Sequence, residues 1–210
     1  MSIVWPCPLM VEAYARLGRA AAVPRPGCPS CAAPMIFWGG YWRITRSGGR
    51  CRRVFVRRAR CRPCRATHAL LPAFVLARVA DAAEDVGAVL TQVACGRGAR
   101  AAAAAAGVPH TTARGHARRF AAVAGQVAVS FAALAVELGG DAVRPAGTAP
   151  RRAVTAIESA FAAAAALPGW APLGPWRFAC AVTGGSLLAA NASSPFLVIG
   201  RRRFMPPRSP

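Results

Sequence analysis

The sequence predicts a mainly α chain with a small β ribbon near its N-terminus, a helix-turn-helix in the middle and alanine-rich helices C-terminal. Three observations predict it. Two Cys-x-x-Cys pairs, Cys28-Pro29-Ser30-Cys31 and Cys61-Arg62-Pro63-Cys64, stand 29 residues apart. The residues between them are aromatic and β-branched with glycine punctuation, the composition of strands and turns. After Leu70-Leu71-Pro72 the chain turns to alanine, with apolar residues recurring at spacings of three and four.

Residues 1–27 read as an N-terminal lead-in. Val11 to Leu17 suits a short helix, and Pro24-Arg25-Pro26-Gly27 ends it. The ribbon spans residues 28–72. Each Cys-x-x-Cys turn aims two thiolates at one point, and four thiolates complete the closed tetrahedral shell of a structural zinc site. Cys28, Cys31, Cys61 and Cys64 are therefore expected to hold one Zn2+, making this a zinc ribbon. The spacer exceeds the commonest interval of about 15–20 residues by roughly one hairpin. Strands are expected at Met35–Trp38, Tyr41–Ile44 and Arg53–Arg57, with turns at Gly39-Gly40 and at Ser47-Gly48-Gly49. His68 is expected to pack or face solvent rather than replace a thiolate. Cys7, Cys51, Cys95 and Cys180 read as scattered structural or incidental thiols.

Residues 78–120 carry the helix-turn-helix pattern. Asp81 is placed to cap a helix, with Glu84 three residues on. Val86, Val89, Leu90 and Val93 form that helix's apolar face, and Cys95-Gly96-Arg97-Gly98 breaks it. Ala99 to Ala106 follows, then a turn at Gly107-Val108-Pro109 and a third helix from His110 or Thr111 to Phe120. In a helix-turn-helix the last helix enters the major groove. Thr111, Thr112, Arg114, Arg118 and Arg119 fall on or beside that surface. Ala113 and His116 stand where a branched aliphatic and a large apolar residue are expected, so His116 reads as a poorly fitting core residue.

Residues 121–200 continue as a helical C-terminal region. Phe120, Ala124, Val127, Phe131, Leu134 and Leu138 form a stripe that reads as core, with the seam of a homodimer as the alternative. A linker from Arg144 to Pro150 leads to a helix over Arg151–Leu167, and residues 201–210 make a basic tail.

The net charge is +20, and all 27 basic residues are arginine. Arginine-only usage with abundant alanine, glycine and proline marks a GC-rich genome, yet the field it creates favours polyanions whatever its origin. Arg52, Arg53, Arg57, Arg58 and Arg60 crowd Val54-Phe55-Val56 more densely than solvation of a strand face requires, and Arg52, Arg53, Arg57 and Arg58 are expected to meet phosphates. The most apolar run, Ala121–Leu138, is mostly alanine and includes Gln126, Ser130 and Glu137, which favours a soluble helix over a membrane span. Met1–Gly18 lacks a basic leader pattern and is broken by Pro6, Pro8 and Glu12. A reducing cytoplasm is the expected location.

No catalytic apparatus is legible. Beyond the helix-turn-helix the acids are Glu137, Asp141 and Glu158, on or near helices and not on the strands that would gather two metal ions. The three histidines are isolated, and no phosphate-cradling glycine loop occurs. A non-enzymatic protein that binds double-stranded DNA is the expectation. An RNA-binding ribbon is the alternative, with Trp38, Tyr41 and Trp42 stacking on bases.

With ribbon and helix-turn-helix both in place, the chain resembles a family of uncharacterised bacterial proteins from high-GC genomes. These join an N-terminal zinc ribbon to a helix-turn-helix and are often found beside insertion-sequence transposases. The resemblance is carried by the first cysteine pair and by Arg60-Cys61-Arg62-Pro63-Cys64 with Thr67-His68-Ala69-Leu70-Leu71-Pro72. Gly107-Val108-Pro109-His110-Thr111-Thr112-Ala113-Arg114-Gly115 and Trp176-Arg177-Phe178 carry it further. It implies DNA binding in transposition or transcription regulation, with a separately encoded transposase as partner. A non-catalytic structural subunit of a transposition complex is the other role it allows.

Overall fold

Two long strands dominate the N-terminal half of the computed structural model, which describes residues 2–142 and 146–187. Strand β2 (Met35–Ser47, 13 residues) and β3 (Arg50–Cys61, 12 residues) form one antiparallel hairpin that turns at Gly48-Gly49. The turn expected at Gly39-Gly40 is instead a β-bulge, where the register shifts between Phe37 and Gly40 and the strand runs on. Glycine is required at this bulge. A Cβ on Gly40 would stand 2.5 Å from the Phe55 ring and 2.6 Å from the Val56 carbonyl oxygen.

Strand β4 (Thr67–Pro72) pairs antiparallel with β3, and β1 (Ser2–Trp5) runs parallel to β4, giving the order β1-β4-β3-β2. Residues 2–20, within the stretch expected as a lead-in, thus supply a strand of the sheet and a helix that lies against it. Helix α1 (Val11–Leu17) lies against β3, where the buried Tyr14 hydroxyl donates to the Phe55 carbonyl at 3.0 Å and its ring meets Phe74 edge-on. The reading of a mainly α chain with a small ribbon is overturned: with 48% helix and 22% strand, a four-stranded mixed sheet fills the N-terminal half. The reason is packing. Val54, Val56 and Met35 join Ile3, Val4, Leu70 and Leu71 in one core that runs on into the C-terminal helices, so the hairpin is a wall of the main core and not a separate metal knuckle.

After the sheet come α2 (Ala83–Ala94), α3 (Ala99–Ala106), α4 (His110–Glu137), α5 (Ala149–Ala165) and α6 (Gly174–Val182). α4 is one continuous helix of 28 residues, not a short helix and a restart. Its stripe of Phe120, Ala124, Val127, Phe131 and Leu134 is buried within the chain, with Phe120 edge-on to Trp176 and Phe131 edge-on to Phe178, both at 6.3 Å. By length and composition α4 could cross a membrane, but this buried stripe is compatible with a soluble protein. α2, α3 and the start of α4 share a second, smaller core of Val89, Ala102, Ala103, Ala106, Val108 and Ala113.

Arg177 of α6 ties that helix to the segment after β1 and to α2. Its Nε lies 2.7 Å from Glu84 Oε1 on α2, and its Nη1 donates to the carbonyls of Cys7 and Leu9 at 3.4 and 3.3 Å. Glu84 thus serves α6 and is no partner in a helix cap. The basic tail, 201–210, lies outside the described residues.

Candidate functional site

The two cysteine turns are conformational copies of each other. Cys28 N–H donates to the Ala33 carbonyl at 2.8 Å, and Cys61 N–H donates to the Ala66 carbonyl at 2.9 Å. The residue after each second cysteine is left-handed although it carries a side chain: Ala32 at φ 60° and Arg65 at φ 58°. Such residues persist only where the surroundings over-determine them. The outcome is convergence. All four Sγ atoms of Cys28, Cys31, Cys61 and Cys64 lie within 4.8 Å of one another, with Cys28–Cys64 and Cys31–Cys61 at 3.4 Å. A tetrahedral thiolate site with metal–sulfur bonds of about 2.3 Å sets its sulfurs about 3.8 Å apart. The four thiols therefore fit one metal ion after small adjustments.

Cys28 and Cys61 are buried while Cys31 and Cys64 face solvent, so an ion here would sit at the rim of the sheet. His68 is buried in β4 and is not part of the group. The other thiols differ in kind. Burial pushes the Cys7 thiol up to about 12 and raises that of Cys180 as well, which keeps both protonated, whereas Cys51 and Cys95 are exposed.

The four hairpin arginines are spread over both faces of β3, with Arg52 and Arg53 meeting at one groove. On a strand, side chains two apart share a face, so Arg53 and Arg57 lie with Phe55 while Arg52 and Arg58 lie with Val54 and Val56. Arg53 sits over Trp42 at 5.1 Å, and Arg57 sits over Phe37 at 5.1 Å and donates to the Arg19 carbonyl. Arg58 reaches Thr67 Oγ1 at 3.3 Å. Arg52 and Arg53 line an open groove of about 630 Å3 with Glu12, Ala15 and Arg16.

At its other end the hairpin meets the helices. Gly107, at φ 63°, reverses the chain between α3 and α4 and touches the hairpin turn backbone to backbone; a Cβ there would lie 3.1 Å from Gly49 N. Gly48 N–H donates to the Asp85 carboxylate of α2 at 2.9 Å. Beside this contact runs a buried ionic chain. Asp81 accepts from Arg46 Nε of β2 at 2.5 Å through Oδ1 and meets His116 Nε2 of α4 at 2.8 Å through Oδ2. Arg119 Nη2 stands 2.7 Å from His116 Nδ1. A guanidinium only donates, so Nδ1 must accept, and the ring proton sits on Nε2 and is given to Asp81.

Two sequence readings are corrected here. Asp81 is not a helix cap: the cap position is Ala82, without a side-chain hydrogen bond. His116 is not a poorly fitting core residue but the buried link between helix and hairpin. Burial raises the Asp81 carboxyl, but hydrogen bonds from His116 and Arg46 outweigh it and hold the group below its ordinary range. Sequence alone offers one signal for this link, a histidine at position 116 where a large apolar residue is expected.

Along α4, Thr111, Arg114 and Arg118 are exposed at spacings of three and four and so form one stripe. Thr112 is half-buried, and Arg119 is half-buried against His116. A family described as a domain of unknown function (DUF6431) matches residues 28–107. That span opens at the first thiol and closes at Gly107, enclosing both cysteine turns, the hairpin, α2 and α3. No curated protein and no solved structure matches the chain.

Proposed function

We propose that this chain is a zinc-dependent, non-catalytic protein that binds double-stranded DNA through α4. One observation carries the reading: α2 and α3 pack on the start of α4 around a left-handed Gly107, and the outer side of that start presents Thr111, Arg114 and Arg118. That order, helix, helix, glycine turn, helix, supports reading the unit as a helix-turn-helix, whose final helix offers its N-terminal residues to base edges. Arg114 is suited to the two acceptors of guanine. The net charge of +20 supplies the attraction to phosphate. Four thiolates with no other ligand type favour zinc, held structurally. The resemblance to proteins encoded beside transposases supports a transposase-associated or transcription-regulatory role in the cytoplasm.

The test is selection of bound duplexes from a random pool with zinc-loaded protein. Enrichment of a defined site is expected, and Arg114→Ala should weaken that site by about 1–3 kcal/mol while sparing unrelated duplexes. If Arg114→Ala weakens every duplex equally, α4 reads no bases and the proposal fails.

A further inference from the structure

We propose that the outer edge of β2, between Trp38 and Ile44, is a stacking site for single-stranded nucleic acid. Trp38, Tyr41, Trp42 and Ile44 are 52, 41, 41 and 59% exposed. Large apolar side chains gathered on an edge strand invite aggregation unless something covers them. Composition alone does not explain their exposure, because Trp5, Trp170 and Trp176 of the same chain are all buried.

The chemistry of the edge selects its occupant. Arg53 lies over Trp42 at 5.1 Å and Arg60 over Trp38 at 4.7 Å, so each ring is paired with a fixed cation. Among the described residues the ion pairs of arginine use Arg46 and Arg177, and neither Arg53 nor Arg60 has a carboxylate partner. The surface therefore asks for a polyanion that also offers flat π faces. A duplex hides its base faces in its own stack. An unpaired strand presents both bases and phosphates, and stacking on aromatic rings beside arginines is how such strands are held without regard to sequence. β2 is the sheet's edge, so a nucleic-acid strand lying along it meets no neighbouring β-strand, and Trp42 on the Phe55 face and Trp38 on the Arg60 face offer their rings from the two sides of that edge. This site is independent of the duplex surface on α4.

The experiment titrates the zinc-loaded full chain with short oligothymidylate and, separately, oligouridylate, following tryptophan emission and affinity. Inorganic polyphosphate and a blunt duplex serve as comparisons. Quenching by the single strands is expected, and Trp38→Ala and Trp42→Ala should each weaken them by about 5- to 150-fold, the equivalent of one missing stack. Trp38→Phe should restore affinity. The relative strength of the two strands identifies DNA or RNA as the ligand. Trp42 also packs on Phe55, so Trp38→Ala, at the more exposed ring, decides the matter if the Trp42 variant unfolds. Unchanged strand binding in a folded Trp38→Ala protein overturns the proposal, as does an equal fall in duplex binding in that variant. Competition by polyphosphate as strong as that of either strand, base for phosphate, would show charge alone at work and overturn it too.

Discussion

The two ends of the β2–β3 hairpin are held by opposite means. At one end four thiols converge within 4.8 Å, and two left-handed residues with side chains keep the turns in place. At the other end Gly48-Gly49 rests on Gly107 and Asp85, and Arg46, Asp81 and His116 run through the interior as a hydrogen-bonded chain. The first end is arranged so that it could take an ion; the second is built from backbone and buried charge. The difference teaches that the orientation of α4 against the sheet is set by the backbone and charge contacts of one end, while any effect of a metal would fall on the far rim.

The largest effect should come from breaking the thiol end. Cys61→Ser should abolish stoichiometric zinc binding, whereas Cys51→Ser should leave one ion per chain, both read by elemental analysis. Structural zinc contributes on the order of 10 kcal/mol to small metal domains, but the hairpin shares the main core. Chelation should therefore expose amides at 27–35 and 61–66 to hydrogen exchange while those at 44–53 stay protected. Loss of protection along the whole hairpin would erase the contrast between its ends.

Next comes the built-in end. Asp81→Ala leaves Arg46 and His116 without their shared acceptor and should destabilise the fold by about 3–5 kcal/mol in denaturant unfolding. The same carboxylate predicts an acid response. Its folded pKa lies below its unfolded one, so its contribution is present above roughly pH 4 and fades as pH falls through the folded value. Asp81→Asn should flatten that part of the profile; an unaltered profile would assign acid sensitivity elsewhere.

A smaller change should come from the turn contact. Gly107→Ala combines a left-handed strain of about 1–2 kcal/mol with the approach to Gly49. Gly96→Ala, also left-handed at φ 87° but with nothing within 4 Å of a new Cβ, should cost less. Equal destabilisation would mean that the hairpin does not press on the turn. The smallest effect concerns arginines on the two strand faces. If a duplex lies against one face, neutralising Arg53 and Arg57 should change the log–log salt slope of duplex binding by about 0.9 for each phosphate left unneutralised, and neutralising Arg52 and Arg58 should not match it. Equal shifts would restore a single patch.

The four-cysteine cluster is legible in the sequence because its geometry is local: Cys-x-x-Cys with turn residues brings two thiols together whatever else the fold does. The order of α2, α3 and α4 is legible for the same reason, through apolar spacing and the glycine turn. What stays hidden is non-local. Ile3-Val4-Trp5 is too short, and too close to Pro6 and Pro8, to announce a strand, and its partner Leu70-Leu71 lies far along the chain. Gly39-Gly40 looks like a turn because a bulge and a turn use glycine for the same freedom. Asp81 looks like a cap because its true partners, Arg46 and His116, are each 35 residues distant.

Arg177 has a bearing on how the chain is made. The carbonyls of Cys7 and Leu9 and the carboxylate of Glu84 receive their cation only from a residue about 170 positions downstream of the first of them. At roughly 5–20 residues per second of synthesis, the newborn N-terminus waits on the order of ten to thirty seconds before that guanidinium emerges. During that interval β1 has β4 to pair with, but the loop after it has no anchor. Ribosome-bound chains stopped before α6 should therefore show residues 6–10 open to protease, and addition of α6 should close them.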